Sequence, residues 1–230
     1  MRFTFHEDFL GLLFPKGCCI CKRSLFKFEE ELCRVCVAGL PVTNYHLRPT
    51  DNDLKTRVVG LTQVNQAFSF LRFTKSGMSQ QLIHELKYLN NPKLGRVLGK
   101  IYGYLLSEHG YSGYWDAVVP VPLHLQRLKK RGYNQSEQFA VGLAEILDIP
   151  INTALKRIKY TETQTNKSRI QRWENVENVF EIEPQILAEK KILLVDDVMT
   201  TGSTLAACAN TLLESGVLSV DFAVIAAGGG

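Results

Sequence analysis

The stretch Ile192-Leu193-Leu194-Val195-Asp196-Asp197-Val198-Met199-Thr200-Thr201-Gly202-Ser203-Thr204 decides how this chain reads. Its first four residues are aliphatic without a break, the pattern of a strand buried on both faces. Two acids follow, then a loop of small hydroxylated residues and glycine. After the loop come Leu205, Cys208, Ala209, Leu212 and Leu213 at helical spacing. Ligands of open α/β sheets bind beyond the C-terminal ends of the strands, where this loop stands. A helix start presents unpaired backbone N–H groups and the positive end of the helix dipole, and so favours a phosphate dianion. Thr200, Thr201, Gly202, Ser203 and Thr204 would supply those amides and hydroxyls, with Gly202 letting the backbone come close. Asp196 and Asp197 would accept hydrogen bonds from ribose hydroxyls.

Outward from this segment the alternation continues. Residues 115–121 are a short apolar run ending in Pro120-Val121-Pro122, and residues 217–225 are another. Between them, residues 135–147 return to helical spacing through Phe139, Leu143 and Leu147, with Asn134 as a candidate N-cap. Upstream, Leu82, Ile83, Leu86 and Leu89 share one helical face, and Leu94, Val97, Leu98, Ile101 and Leu105 line a second helix. Residues 64–73 read as a strand or two, and residues 45–61 as a polar turn or linker. Strand and helix in alternation predict an α/β fold, a parallel sheet with flanking helices.

Two basic stretches accompany it. Pro122, Leu123 and His124 make a tight turn after the 115–121 strand, followed by Arg127, Lys129, Lys130 and Arg131. Exposed amides and positive charge in that order suit a diphosphate. Residues 157–172, with Lys167, Arg169 and Arg172, are long, polar and poor in apolar side chains, as a closing lid would be. From Arg127 to Arg172 there are ten basic residues and four acidic ones. Folded onto one face, they would track a phosphate backbone, with Tyr133 and Tyr160 available for base stacking.

Five of the six cysteines lie between Cys18 and Cys36. Cys18-x-x-Cys21 and Cys33-x-x-Cys36 are two knuckles that can present four thiolates to one ion, the donor set of a structural zinc site. Cys19 is a spare thiol at the wrong spacing for a knuckle. A redox dithiol would need a thioredoxin-like context that the surrounding sequence lacks. The chain is therefore expected to form a zinc module over residues 1–50 and an α/β domain over residues 51–230. Hydrophobic content of 45%, charged content of 22% and a net charge of +4 fit a globular protein. No window approaches the roughly 18 apolar residues of a membrane span. Acids at Glu7 and Asp8 argue against a signal peptide, so the expected location is the cytoplasm.

The segment from Ile192 to Thr204 resembles the signature of type I phosphoribosyltransferases. The chain over nearly its full length resembles the ComF family, the ComFC-type proteins linked to natural competence. The likeness rests on the four-cysteine module, His84-Glu85-Leu86-Lys87-Tyr88 and residues 119–124. It continues through residues 131–138, Gln164-Thr165, Arg172, Asn175 and residues 195–202. It implies binding of phosphoribosyl pyrophosphate (PRPP) with Mg²⁺. Asp196 and Asp197 would hold the ribose, residues 200–204 the 5′-phosphate, and Pro122 and Leu123 would belong to the pyrophosphate loop. His124 and Arg131 would face the diphosphate, Arg169 and Arg172 would act from the lid, and Lys87 would contact ligand or lid. The family further implies handling of single-stranded DNA on the cytoplasmic side of uptake, with the zinc module docking a partner of that machinery. A metabolic transferase acting on a small amine or base, and a non-catalytic PRPP-sensing adaptor, are the competing readings. A glutamine-dependent amidotransferase is set aside, because 230 residues leave no space for an ammonia-producing domain.

Overall fold

The computed structural model describes residues 16–159, 179–183 and 186–228. Tyr160, Lys167, Arg169 and Arg172, expected on the lid, lie outside these residues. In chain order the described residues form α1 (Arg34–Ala38), a 3-10 turn (Tyr45–Leu47), α2 (Asp53–Val58), β1 (Ala67–Phe73), α3 (Met78–Tyr88) and α4 (Pro92–Glu108). There follow β2 (Ala117–Pro120), α5 (Leu125–Arg131), α6 (Gln135–Leu147), β3 (Lys156–Arg157), β4 (Phe180–Glu181), β5 (Lys191–Met199), α7 (Ser203–Glu214) and β6 (Ser219–Gly228). No described helix is long and apolar enough to cross a membrane.

Four strands pair in the order β1-β6-β5-β2, all parallel. The two inner strands explain why their sequences are apolar without a break. Leu193 and Val195 of β5 and Ala223 and Ile225 of β6 join one core, while Ile192, Leu194, Phe222 and Val224 join the core on the other face. A strand covered on both sides has no solvent face on which to place polar residues. The first core is closed by α3, α4 and α6 through Leu82, Leu86, Leu98, Tyr102, Phe139 and Leu143. The second is closed by α2 and α7 through Leu54, Val58, Leu205, Ala206 and Leu212.

Helices α4 and α6 approach closely, because glycines stand at their crossing. A Cβ on Gly142 would lie 2.1 Å from the Arg96 carbonyl oxygen, and one on Gly99 would lie 2.3 Å from that of Phe139. Asn134 caps α6 as expected, its side chain accepting from the Ser136 N–H at 3.2 Å.

The cysteine module packs into the same core as the helices: Cys18, Leu32, Cys33, Cys36 and Leu40 share it with Phe70, Leu82 and Leu94. Two local expectations change. Residues 53–58, within the expected linker, are helical, started by Asn52, whose side chain accepts from the Leu54 and Lys55 N–H groups. The basic run after His124 forms the short helix α5. Leu89 follows the end of α3 and is exposed rather than sharing its buried face.

The crossing of α4 and α6 leaves no space for a methyl group against backbone atoms. Gly142→Ala is expected to destabilise the fold by about 1 to 3 kcal/mol, the usual cost of overpacking. A lowered urea midpoint with an unchanged m-value is the check.

Candidate functional site

Strand β5 runs past its aliphatic residues through Asp196 and Asp197 to Met199, so both acids are fixed by the sheet itself. Asp196 pairs with Val224 of β6 in the ladder. Its Oδ1 accepts from the Ser136 hydroxyl at 2.8 Å and from the Asp197 N–H at 2.8 Å. Asp197 receives Lys87 Nζ on its Oδ2 at 2.9 Å, and both side chains are largely covered. Burial and the neighbouring Asp197 carboxylate push the Asp196 carboxyl up from its ordinary 3.8 to about 7. The two acids thus differ in their surroundings, one hydrogen-bonded to a hydroxyl and the other ion-paired to an ammonium.

The chain then turns at Gly202, whose φ of +81° is left-handed and favours glycine. Its missing Cβ serves packing as well, since that atom would fall 2.6 Å from Val58 and 2.7 Å from the Met199 side chain. Gly202 is the N-cap of α7 and has no side chain to occupy the first-turn N–H groups. Asp196 and residues 198–205 line a small cleft there, with the Thr201 and Ser203 hydroxyls 3.1 Å apart. Carboxylates on one side and amides, hydroxyls and a helix start on the other are complementary to a sugar phosphate.

Arg57 and Ser136 belong to this site but were not among the residues expected to form it. Arg57 of α2 donates from Nη1 to the Thr200 carbonyl at 3.2 Å and from Nη2 to the Gly228 carbonyl and to Asp53. Tyr45 holds Asp53 in turn. This strap ties the loop to a helix 143 residues away in sequence, and nothing local to Arg57 signals it.

The pyrophosphate-loop candidates fall at the neighbouring strand end. Val121 N–H bonds to the Val195 carbonyl at 2.8 Å, placing Pro122 and Leu123 beside the acids. His124 is the N-cap of α5, its Nδ1 accepting from the Gln126 N–H at 3.2 Å. Arg131 donates to Gln135 at 2.8 Å and lies 5.9 Å from the Tyr88 ring centroid. Tyr133, expected to be open for stacking, is partly buried and donates its hydroxyl to the Leu86 carbonyl at 2.5 Å. Strands β3 and β4 pair antiparallel, Lys156 with Glu181 and Arg157 with Phe180, so that β3 stands where the expected lid of residues 157–172 begins.

The Sγ atoms of Cys18, Cys21, Cys33 and Cys36 all lie within 4.8 Å of one another. Cys21 and Cys33 are 3.7 Å apart. A tetrahedron with Zn–S bonds of about 2.3 Å has sulfur–sulfur edges of about 3.8 Å, so the four thiols fit a zinc ion. Cys19 stands apart. Its thiol points to Glu31 at 3.7 Å, and burial together with the Glu31 and Glu85 charges pushes it up to about 12.

The module grips α3 directly. Lys22 Nζ pairs with Glu85 at 2.9 Å and donates to the Cys19 carbonyl at 2.9 Å. Gln81 donates to the carbonyls of Cys19 and Ile20 at 3.0 and 3.1 Å. Glu85 and Lys87 are two residues apart, roughly 200° around the helix axis. One side of α3 is thus held by the metal module while the other side delivers Lys87 to Asp197.

A parallel sheet with helices on both faces, and an acid pair leading into a small-residue helix start, define a phosphoribosyltransferase-fold protein. The model of the phosphoribosyl transferase domain family matches residues 86–230, and the chain belongs to that family. It belongs within it to the ComF group, as its relatives show. It is 30% identical to the DNA utilization protein YhgH of Escherichia coli strain K12 over 88% of this chain and 86% of that one. It is 35% identical to Competence protein F of Haemophilus influenzae over 59% of this chain, and the match spans 62% of that protein's length. It is 28% identical to Competence protein ComFC of Bacillus subtilis over 90% of this chain and 82% of that one.

Two outcomes follow from this geometry. Asp196 keeps its proton in the folded protein over a pH range in which the unfolded chain, near 3.8, has already lost it. Its contribution to stability is fully present below about pH 4 and is lost as the pH rises through about 7. Asp196→Asn keeps Oδ1 as an acceptor for Ser136 and Asp197. It should raise stability at pH 8 by about 1 to 3 kcal/mol, the gain shrinking toward pH 4, as read by urea unfolding at several pH values. Removing the metal with a chelator should raise amide exchange across α3 together with the module, while β5 and β6 stay protected. Unchanged protection of α3 would refute the grip.

Proposed function

We propose that this protein binds PRPP with Mg²⁺ in the cleft between β5 and the start of α7, and that it serves DNA uptake or utilization by handling single-stranded DNA. The observation that carries the first part is the acid pair. Asp196 and Asp197 stand at the end of the inner strand, immediately before a glycine-capped helix start, as a ribose followed by its 5′-phosphate requires. Asp197 and Asp196 would accept from the ribose hydroxyls, with Lys87 and Ser136 fixing the carboxylates for that purpose. The amides of residues 200–204 would take the phosphate. Carboxylate oxygens beside a diphosphate are the hard donors that Mg²⁺ prefers, and the ion would neutralise the pyrophosphate charge.

Pro122 and Leu123 lie beside the acids; Leu123 would offer its backbone N–H to the pyrophosphate, while Pro122, which has none, would set the turn, with the positive charge of α5 close by. His124 and Arg131, at the two ends of α5, would face the diphosphate. Arg169 and Arg172 keep their proposed place on the lid. The second part of the proposal draws on the names of the relatives, which speak of competence and DNA utilization, and on the basic segment that begins at Arg127. A zinc ion in the cysteine module would have a structural role there, since four thiolates leave no open coordination position.

Calorimetric titration of PRPP with Mg²⁺ into zinc-loaded protein tests the site. Saturable binding is expected, abolished in Asp196→Asn/Asp197→Asn and weakened about tenfold or more in Lys87→Met, as suits the loss of a charged group that orients a ligand-binding carboxylate. Absence of binding by folded, metal-loaded wild-type protein would refute the proposal. Measuring pyrophosphate release with candidate amines and bases in the same samples distinguishes a transferase from a binder.

A further inference from the structure

The C-terminal end of α3 carries an aromatic ring with no packing role. Tyr88 is 67% exposed, although it directly follows Lys87, which reaches into the cleft. Its surroundings are those of a stacking platform. The His84 ring, one turn earlier, lies 5.1 Å from it at 43°, and the Arg131 guanidinium stands 5.9 Å from its centroid. Leu89, the next residue in the chain, and Leu125 at the start of α5 are exposed. Helix α5 contributes Arg127, Lys129, Lys130 and Arg131 and contains no acid, so the charge carried by that helix has one sign. The corner is held rigidly, because Tyr133 ties the α5–α6 junction to the Leu86 carbonyl and Asn134 donates to the Val121 carbonyl at 3.0 Å.

A planar face with a guanidinium above it and a row of ammonium groups alongside matches one kind of polymer, a single-stranded nucleic acid. Its bases stack on aromatic rings and its phosphates follow a positive surface. An acidic peptide would satisfy the lysines and leave the ring unused. We infer that single-stranded nucleic acid docks on the corner formed by Tyr88, Arg131 and the lysines of α5, with one base on the Tyr88 ring and the backbone along Lys129 and Lys130. This moves the stacking ring from Tyr133 to Tyr88 and places the strand at the rim of the phosphoribosyl cleft. The inference rests on the nucleic-acid half of the proposed function and is independent of the PRPP half.

Fluorescence anisotropy with a labelled oligothymidine of about sixteen nucleotides, long enough to cover a single-strand site, provides the test. Tyr88→Ala should weaken binding roughly 5- to 150-fold, the range for losing one base–aromatic stack, while Tyr88→Phe keeps the π-face and should bind within about twofold of wild type. Lys129→Gln/Lys130→Gln should flatten the dependence of log K on log salt by about 0.7 for each phosphate that is no longer neutralised. PRPP titrations on Tyr88→Ala and Tyr88→Phe should match wild type, which shows these variants to be folded and reports on the other half of the proposed function separately. Wild-type affinity of Tyr88→Ala for the oligonucleotide would overturn the inference. It would also fall if Tyr88→Ala lost affinity for a free base in the presence of PRPP and kept it for the strand, since the ring would then serve a small acceptor. Failure of wild-type protein to bind the strand at low salt would refute it together with the nucleic-acid half, whatever the PRPP titration gives.

Discussion

Two neighbouring carboxylates at the end of a buried strand repel each other and lose hydration, and much of this structure is organised around keeping them there. Asp196 and Asp197 cannot move apart, because the ladder of β5 with β6 fixes their backbone. Relief comes from side chains on other elements. Ser136 at the start of α6 bonds to one acid and Lys87 at the end of α3 pairs with the other. Asp196 remains strained even so, its proton held up to about pH 7. A site that binds sugar hydroxyls needs carboxylates with acceptor capacity to spare, and that need conflicts with the stability of the empty fold.

Helix α3 is where the two ends of the chain's architecture meet. Surface ion pairs contribute little on their own, and the Arg96 and Lys100 pairings with Glu145 are of that kind. The Lys22–Glu85 pair differs, because Glu85 is buried and Lys22 also bonds to a knuckle carbonyl. Gln81 adds two further bonds to the same knuckle. A short cysteine-rich segment with little core of its own is thereby joined to the α/β domain. Arg57 does the corresponding task on the other side, joining α2 to the Thr200 loop and to the end of β6.

The readable parts of the sequence were those where a local pattern and its physical cause coincide. Residues 192–195 announce a doubly covered strand because such a strand has no use for polar residues. Asn134 announces a helix start because its side chain replaces a missing backbone acceptor. Two knuckles at short spacing announce a four-thiol cluster, and the sulfur positions fit one. The parts that escaped reading had weak local patterns or long-range causes. Helix α2 has only six residues and lies in a polar stretch, so no periodicity shows. Leu89 continued the apolar spacing of α3 by one step beyond the last helical residue. Tyr133 and Tyr88 are alike as tyrosines, and only the carbonyl of Leu86 distinguishes the one that is tied down.

By itself the sequence determined the class of fold, the acid–loop–helix segment and the metal donor set, because each is a contiguous string whose side-chain chemistry and spacing act within a few residues. The tertiary structure decided which distant groups serve that segment. Lys87 faces Asp197, Ser136 bonds to Asp196, and Arg57 braces the loop from another helix. Cys19 stands outside the four-thiol cluster, turned toward Glu31 and Asn91. These pairings depend on how helices and loops meet across a sheet edge, and sequence spacing does not encode a distance between side chains carried by separate elements.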